Sequence, residues 1–134
     1  MPQFTKVTPN LIVDNVERSL TFYETVLGFT RGILVPEQSP FVFASVTGGA
    51  VEVFLNDRAA VLKDRPELAA RVGASMGNQL FIEIASGIDA WWEQVKDRAA
   101  VIMPPVTQWY GMREFAVADP DGYVIVFAQR VPQA

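Results

Sequence analysis

The chain has 134 residues, a formal charge of −4 and an apolar share of 50%, and only 19% of its residues are charged. This composition fits one folded domain with a real core and excludes a disordered chain. The acidic balance disfavours nucleic-acid binding, which needs a basic face that displaces counterions. The chain contains neither histidine nor cysteine, which excludes disulfides, zinc–thiolate sites and histidine bases.

The start of the chain, residues 1–6, shows no apolar stretch of the kind found in signal peptides. No later window approaches the roughly 18 uninterrupted apolar residues of a membrane span. We therefore expect a cytoplasmic protein that has neither a membrane nor a nucleic acid as its partner.

The first half of the chain predicts the order β-α-β-β-β. Apolar residues at helical spacing predict a helix over 16–27, capped by Asn15 and ended by Gly28. The adjacent glycines Gly48 and Gly49 accept a positive φ and predict a tight hairpin. The predicted strands are 8–13, 29–35, 41–46 and 51–56.

The segment 57–73 differs in composition from the predicted strands before it, because it is charged, rich in alanine and interrupted by Pro66. Asp64 is placed as a helix N-cap, with Pro66 in the first turn and Glu67 at the third position. We interpret this segment as a connecting helix on the surface.

The second half repeats the order β-α-β-β-β. A helix is predicted over 88–99, and the turn Asp119-Pro120-Asp121-Gly122 joins the last two strands. The predicted strands are 79–85, 101–103, 112–118 and 123–128. The repeated order predicts an α+β fold in one domain over 1–134, with modules at about 5–56 and about 78–130.

Two segments carry distinctive motifs. The first runs Thr8-Pro9-Asn10-Leu11-Ile12-Val13, Asn15-Val16-Glu17-Arg18-Ser19-Leu20, Phe22-Tyr23 and Leu27-Gly28-Phe29. The second runs Trp109-Tyr110-Gly111-Met112-Arg113-Glu114-Phe115 and Asp119-Pro120-Asp121-Gly122-Tyr123. Together they resemble the glyoxalase/bleomycin-resistance/dioxygenase superfamily, the vicinal oxygen chelate fold, and especially its bleomycin-resistance branch. The resemblance covers roughly residues 5–130. It implies two tandem βαβββ units curled into an incomplete barrel, or cup, and a homodimer whose cups are bordered by both chains.

In the enzymes of this superfamily a divalent metal lies inside the cup. Alignment to the motifs implies that its ligand positions are Thr8, Glu52, Gln79 and Val126. Only Glu52 is a strong ligand, whereas divalent metals take several donors from His, Asp or Glu. Glu83 shares a strand face with Gln79, which leaves an all-carboxylate site as an alternative. We expect no metal and no cofactor.

Aromatic residues are the next candidates for a site. Trp109 and Tyr110 precede a strand, and the resemblance implies that rings near here hold a flat ligand; a packed loop or a dimer contact is the other interpretation. Phe54 shares a strand face with Glu52, so it lines the cup if Glu52 does, and otherwise belongs to the core under the first helix.

Two charged residues complete the predicted site. Glu52 lies between Val51 and Val53 on an apolar strand, where it is either an anion inside the cup or a solvent-facing residue. Arg113 and Glu114 alternate on their strand, so that only one of them points inward. We place Arg113 inside, where it would pair with Glu52 in place of the lost metal charge.

These features predict a metal-free protein of the bleomycin-resistance type that sequesters a planar or cationic small molecule. The ligand-binding residues would be Thr8, Glu52, Phe54, Gln79, Trp109, Tyr110, Arg113 and Val126. The alternative is a lyase, isomerase or dioxygenase of the superfamily, with or without a divalent metal, that uses Glu52 as a ligand or base. A third hypothesis is a structural dimer with an empty cup.

Overall fold

The computed structural model describes residues 2–72 and 79–132. The strands are β1 (Asn10–Val13), β2 (Thr30–Val35), β3 (Phe43–Gly48), β4 (Val51–Asp57), β5 (Gln79–Glu83), β6 (Ala100–Thr107), β7 (Met112–Ala118) and β8 (Val124–Arg130). The α-helices are α1 (Val16–Thr21), α2 (Arg58–Asp64) and α3 (Ile88–Val95), with a π-helical turn at Phe22–Val26 and a 3₁₀ turn at Pro66–Leu68.

The strands form two four-stranded sheets with the same plan. The first sheet has the order β1-β4-β3-β2 and the second the order β5-β8-β7-β6. The pairs β1/β4 and β5/β8 are parallel, and the other neighbouring strands are antiparallel. The prediction of an α+β fold built from two tandem βαβββ modules is therefore confirmed, and the two sheets are not closed into a barrel.

Strand alternation gives each sheet one face that packs against α1 or α3 and one face on the opposite side. In the first sheet Val53 and Leu55 are buried in the core with Leu20 of α1. In the second sheet Phe115 and Phe127 contact the indole rings of α3, at ring-centroid distances of 5.2 and 5.6 Å. We call the opposite face of each sheet its inner face.

The inner faces carry the residues that alternate with this core. On the first sheet they are Asn10, Ile12, Phe43, Ser45, Thr47, Glu52, Phe54 and Asn56. On the second sheet they are Gln79, Phe81, Glu83, Val106, Met112, Glu114, Ala116, Val124, Val126 and Ala128. Most inner residues of the central strands β7 and β8 are buried, whereas Phe81 and Val106 on the edge strands are exposed. The inner face of the second sheet is thus buried along its central strands and accessible to solvent along its edge strands.

The first helix forms as predicted but changes its pitch. The Asn15 side chain accepts a hydrogen bond from the Arg18 amide at 2.8 Å, which confirms its capping role. The α-helix then passes into the π-helical turn at Phe22–Val26. The Tyr23 side chain in that turn is buried, and its hydroxyl donates to Asp119 at 2.8 Å.

The turn between β7 and β8 joins the two modules. Asp119 accepts hydrogen bonds at Oδ1 from the amides of Asp121 and Tyr123, both at 2.9 Å. Asp121 in turn accepts from the Asp14 amide and the Arg18 guanidinium, each at 3.0 Å. The sequence predicts this segment as a turn, and the structure shows that it also anchors the start of α1.

The connecting segment folds differently from the prediction. The predicted N-cap at Asp64 is wrong, because α2 begins at Arg58 and the Asp57 side chain caps it by accepting from the Ala60 amide at 3.0 Å. Asp64 is instead the last residue of α2, and Pro66 starts the 3₁₀ turn. The predicted end of this helix, at residue 73, lies outside the described residues.

The strand β6 is longer than predicted, because it continues through Pro104 and Pro105 to Thr107. It lies at the edge of its sheet, where a missing N–H costs no ladder hydrogen bond on the outer side. An irregularity in the pairing between Met103 and Val106 accommodates the two prolines.

No helix in the described part of the chain is long and apolar enough to cross a membrane.

Candidate functional site

The inner face of the first sheet brings together the predicted residues Glu52 and Phe54. The Phe54 ring packs against the Phe43 ring of β3, with centroids 5.1 Å apart. Beside them Asn56 donates a side-chain hydrogen bond to Asn10. Phe54 therefore lies on the inner face and outside the core under α1, which is one of the two positions that the sequence allowed.

The carboxylate of Glu52 is neutralised within this sheet's own module. Lys6 donates to it in an ion pair, in which the Glu52 side chain is 23% exposed and the Lys6 side chain 57%. The predicted pairing of Glu52 with Arg113 is therefore wrong. Lys6 precedes β1 in a segment without regular structure, so the periodicity of the sequence gave no sign of this contact.

Arg113 lies on the opposite face from the one predicted. Its side chain donates to Asp89 of α3 at 2.9 Å and to Thr107 at 3.2 Å. Asp89 stands in the first turn of α3, on the helix-covered side of the second sheet. This ion pair holds Arg113 away from the inner face, where it cannot replace a metal charge.

Glu114 takes the inward position instead, and the sequence-based prediction missed it. It is 4% exposed, and Val106 of β6 and Ala128 of β8 lie opposite it in the sheet. The Tyr110 hydroxyl donates to its carboxylate, at 2.9 Å from one oxygen and 2.8 Å from the other. This hydrogen bond raises the pKa of Tyr110, because the carboxylate favours the protonated phenol.

Tyr110 reaches Glu114 because the chain turns back sharply before β7. Gly111 has φ +88°, a left-handed conformation that a side chain would strain, and its amide donates to the Gln108 carbonyl at 3.1 Å. Trp109 projects from the same turn and is 89% exposed. Its ring meets the Tyr110 ring edge to face, with centroids 5.4 Å apart.

The other three predicted residues, Thr8, Gln79 and Val126, differ in their burial. Val126 is buried at the centre of the second inner face, Gln79 is exposed on the edge strand β5, and Thr8 is half-buried before β1. Gln79 lines a cavity of about 330 Å³ between β1 and β5, together with Asn10 and Arg71.

The donor set at the positions aligned with the family's metal ligands does not fit a divalent ion. Val126 has no donor atom, and Glu52 is already paired with Lys6. Thr8 and Gln79 offer only a neutral hydroxyl and a neutral amide, which are weak ligands without carboxylate support. Across residues 2–72 and 79–132, no three or more His, Cys, Asp or Glu side chains gather in a metal-binding arrangement.

A signal for Glu114 was present in the sequence. Asp89, predicted near the start of the second helix, is an acidic residue placed to attract Arg113 to the helix side. With Arg113 held there, alternation turns Glu114 inward. The inward orientation of Glu114 could be recognised only with knowledge of the contact between α3 and β7, which the local periodicity of the sequence does not predict.

Solved structures of other proteins share this fold. TioX from Micromonospora sp. ML1 is 16% identical over 96% of this chain and 100% of that chain, with a TM-score of 0.77. A glyoxalase/bleomycin resistance protein/dioxygenase from Nocardioides is 18% identical over 100% and 89%, with a TM-score of 0.73. The bleomycin-binding protein from bleomycin-producing Streptomyces verticillus, complexed with copper(II)-bleomycin, is 20% identical over 99% and 100%, with a TM-score of 0.64. At these identities the likeness shows the fold alone.

No curated protein sequence matches the chain. The family model for the Glyoxalase/Bleomycin resistance protein/Dioxygenase superfamily, however, matches residues 4–127, a span that runs from before β1 into β8. The chain therefore belongs to the Glyoxalase/Bleomycin resistance protein/Dioxygenase superfamily.

Proposed function

We propose that the protein binds and sequesters a planar organic molecule, preferably one with a cationic group, on the inner faces of its sheets and without a divalent metal. The observation that carries this proposal is the set of side chains on these faces, which suits an organic ligand better than a metal ion. Aromatic rings lie on or beside these faces together with the carboxylates Glu52, Glu83 and Glu114, while the aligned metal positions offer a single carboxylate that is already ion-paired.

The aromatic residues supply the attraction for a flat ligand. Trp109, Tyr110 and Phe81 present rings that are accessible to solvent, and rigid rings offer contact area at a small cost in conformational entropy. A cation above such a ring gains further attraction from the ring's negative face. The net charge of −4 adds a mild long-range preference for cationic molecules.

The relatives support a binding role by analogy. The Streptomyces verticillus protein of the same fold is a bleomycin-binding protein, and its structure contains copper(II)-bleomycin. That ligand belongs to that protein. For this chain we infer only the general use of the fold, in which the sheets hold an organic molecule.

We also propose that the protein acts as a homodimer. Apolar side chains other than the rings that would hold the ligand are exposed on or beside the inner faces, including Ile33 (63%) and Val106 (40%). A second copy that covers these side chains would remove apolar surface from water, which favours association. Sedimentation equilibrium tests this: a monomer at all concentrations would contradict it.

The superfamily includes enzymes as well as resistance proteins, so membership alone leaves catalysis open. An enzyme in this fold would use Glu52 as a metal ligand or a base, as the sequence suggested. The ion pair with Lys6 opposes both uses, because the ammonium already neutralises the carboxylate and engages one of its oxygens. We therefore favour binding over catalysis.

The binding proposal is tested by a thermal-shift screen in buffer without added metal. The panel contains planar cationic antibiotics and uncharged compounds of similar ring size. A ligand that binds only the folded state raises the melting temperature by mass action. We expect at least one planar cation to raise it and to quench tryptophan fluorescence.

The variant Trp109→Ala should lose most of that quenching, and Trp109→Phe, which keeps a ring, should retain binding. Because Trp109 is 89% exposed, neither change should disturb the fold. No stabilisation by any member of the panel would contradict the proposal, and quenching that persists in Trp109→Ala would remove this residue from the site.

A further inference from the structure

Glu114 is a carboxylate buried on the inner face of the second sheet, where 4% of the residue is exposed. Burying an ionised carboxylate is costly unless hydrogen bonds and an opposite charge replace the lost water. The Tyr110 hydroxyl donates to both of its oxygens, at 2.9 and 2.8 Å, and is the one hydrogen-bond donor that it has within residues 2–72 and 79–132. A single shared proton leaves most of the carboxylate's acceptor capacity unused.

A cationic partner is absent from Glu114 in the part of the chain that the structure describes. The ion pairs there join Lys or Arg to Asp14, Glu24, Glu52, Asp89, Glu93 and Asp121. The comparison with Glu52 is direct, because that carboxylate is more exposed and yet has Lys6 beside it. The second sheet therefore keeps a charge in its most costly position without a counter-charge.

The neighbours of Glu114 on the inner face are small or apolar. Ala128 lies opposite it on β8, and Ala116 follows it on the inner face of β7. Both residues end at the β-carbon, so neither side chain offers the carboxylate a hydrogen-bond donor. Val106 of β6 adds an apolar wall on the other side.

Tyr110 covers this anion from the solvent side. The residue is 45% exposed, so one part of it meets water while its hydroxyl contacts the buried carboxylate. It belongs to the turn set by Gly111, together with the exposed ring of Trp109. A phenol oxygen can accept a hydrogen bond while its proton is donated, so it can share an incoming donor with Glu114.

We propose that Glu114 is the anchor for a protonated amine of the ligand, with Tyr110 as a second acceptor and Trp109 as the platform for the ligand's ring. The inference rests on the proposed function and names the chemical class of its ligand: an aromatic ring that carries a primary ammonium on a short arm. An ammonium has three donors, which match the two carboxylate oxygens and the phenol oxygen. The arm reaches the depth of β7 while the ring remains at the exposed margin.

The test uses two probes of the same shape, 1-naphthylmethylamine, which is protonated at neutral pH, and 1-naphthylmethanol, which is uncharged. Isothermal titration calorimetry gives the ratio of their affinities, here called the amine preference. We expect the unaltered protein to prefer the amine by about tenfold or more, the scale of a hydrogen bond to a charged group. The variant Glu114→Gln, which keeps the shape of the side chain, should bring the ratio to within about twofold of unity.

Two further variants locate the charge. Glu93→Gln, on the solvent side of α3, removes one negative charge far from the inner faces and should leave the amine preference unchanged. Glu52→Gln removes the first sheet's carboxylate. If Glu52→Gln abolishes the preference and Glu114→Gln does not, the inference is overturned while the proposed function stands.

The remaining outcomes are also decisive. Equal affinity of the unaltered protein for both probes overturns the inference, and so does binding of neither probe. In both cases the proposed function is decided separately by the thermal-shift panel. A shift of the monomer–dimer equilibrium in Glu114→Gln, with the amine preference intact, assigns the carboxylate to a subunit contact and also overturns the inference. Should Glu114→Gln fail to fold, Glu114→Asp withdraws the charge by one methylene, and an undiminished preference in that variant contradicts the anchor.

Discussion

The two sheets share one strand order but treat their inward carboxylates in opposite ways. Glu52 of the first sheet lies near the surface, at 23% exposure, and is neutralised by Lys6. Glu114 of the second sheet is 4% exposed and has a phenol in place of a cation. The same architecture thus holds one surface ion pair and one buried carboxylate that has no cationic partner among residues 2–72 and 79–132.

This difference shows that alignment with a metal-ligand position of the family does not identify the residue whose surroundings are those of a binding group. Glu52 aligns with a metal ligand of the superfamily's enzymes, yet its charge is already neutralised by Lys6. Glu114 aligns with no such ligand, yet it has the environment expected of a binding group, because buried charges without compensation concentrate at functional sites. Function on this chain is therefore best sought on the second sheet.

The largest effect that we expect on stability comes from removing the partner of each carboxylate in turn. Tyr110→Phe leaves Glu114 buried without its donor, which should lower the free energy of unfolding by about 2 kcal/mol. Lys6→Met leaves Glu52 free to be solvated and should cost less than about 1 kcal/mol, as is typical of an exposed pair. Urea unfolding of the two variants measures the difference, and equal costs would erase the contrast between the sheets.

A smaller effect concerns a third carboxylate, Asp119, which receives the Tyr23 hydroxyl at the junction of the modules. Burial raises the pKa of Asp119 above its value in the unfolded chain. Its contribution to stability is therefore complete below about pH 4, the unfolded value, and is lost as the pH rises through the folded pKa.

The variant Asp119→Asn keeps an oxygen acceptor for the amides of Asp121 and Tyr123 but does not titrate. We expect it to be less destabilised, relative to the original protein, at pH 7 than at pH 4. Thermal unfolding across this range measures the difference, and parallel stability curves for the two proteins would show that Asp119 does not titrate as we infer.

The architecture was predictable because each module carries local signals. Asn15 caps α1, the glycines around residue 49 close a hairpin, and the alternation of Val53 and Leu55 with Glu52 and Phe54 marks the two faces of β4. The repetition of this order in the second half then made the α+β plan the simplest solution. None of these signals depends on a contact between distant segments.

The inner-face charges were less accessible to sequence reasoning. The last hairpin pairs Ala118 with Val124, one residue further along than a four-residue turn at 119–122 would give. Such a single step changes which residues of β7 stand opposite Val126. The inward choice of Glu114 over Arg113 was therefore decided by the hairpin register and by Asp89 of α3. The ion pair of Lys6 with Glu52 joins residues 46 positions apart, outside any local pattern.

The central claim, that the inner faces hold an organic ligand and no divalent ion, is tested most directly by the melting temperature after exhaustive dialysis against a chelator. We predict the same melting temperature before dialysis, after dialysis and after addition of Mn²⁺, Ni²⁺ or Zn²⁺. An ion that does not bind the folded state cannot raise its melting temperature, and a donor set with one ion-paired carboxylate should not bind these ions. A fall of several degrees on dialysis that one of these ions restores would contradict the claim.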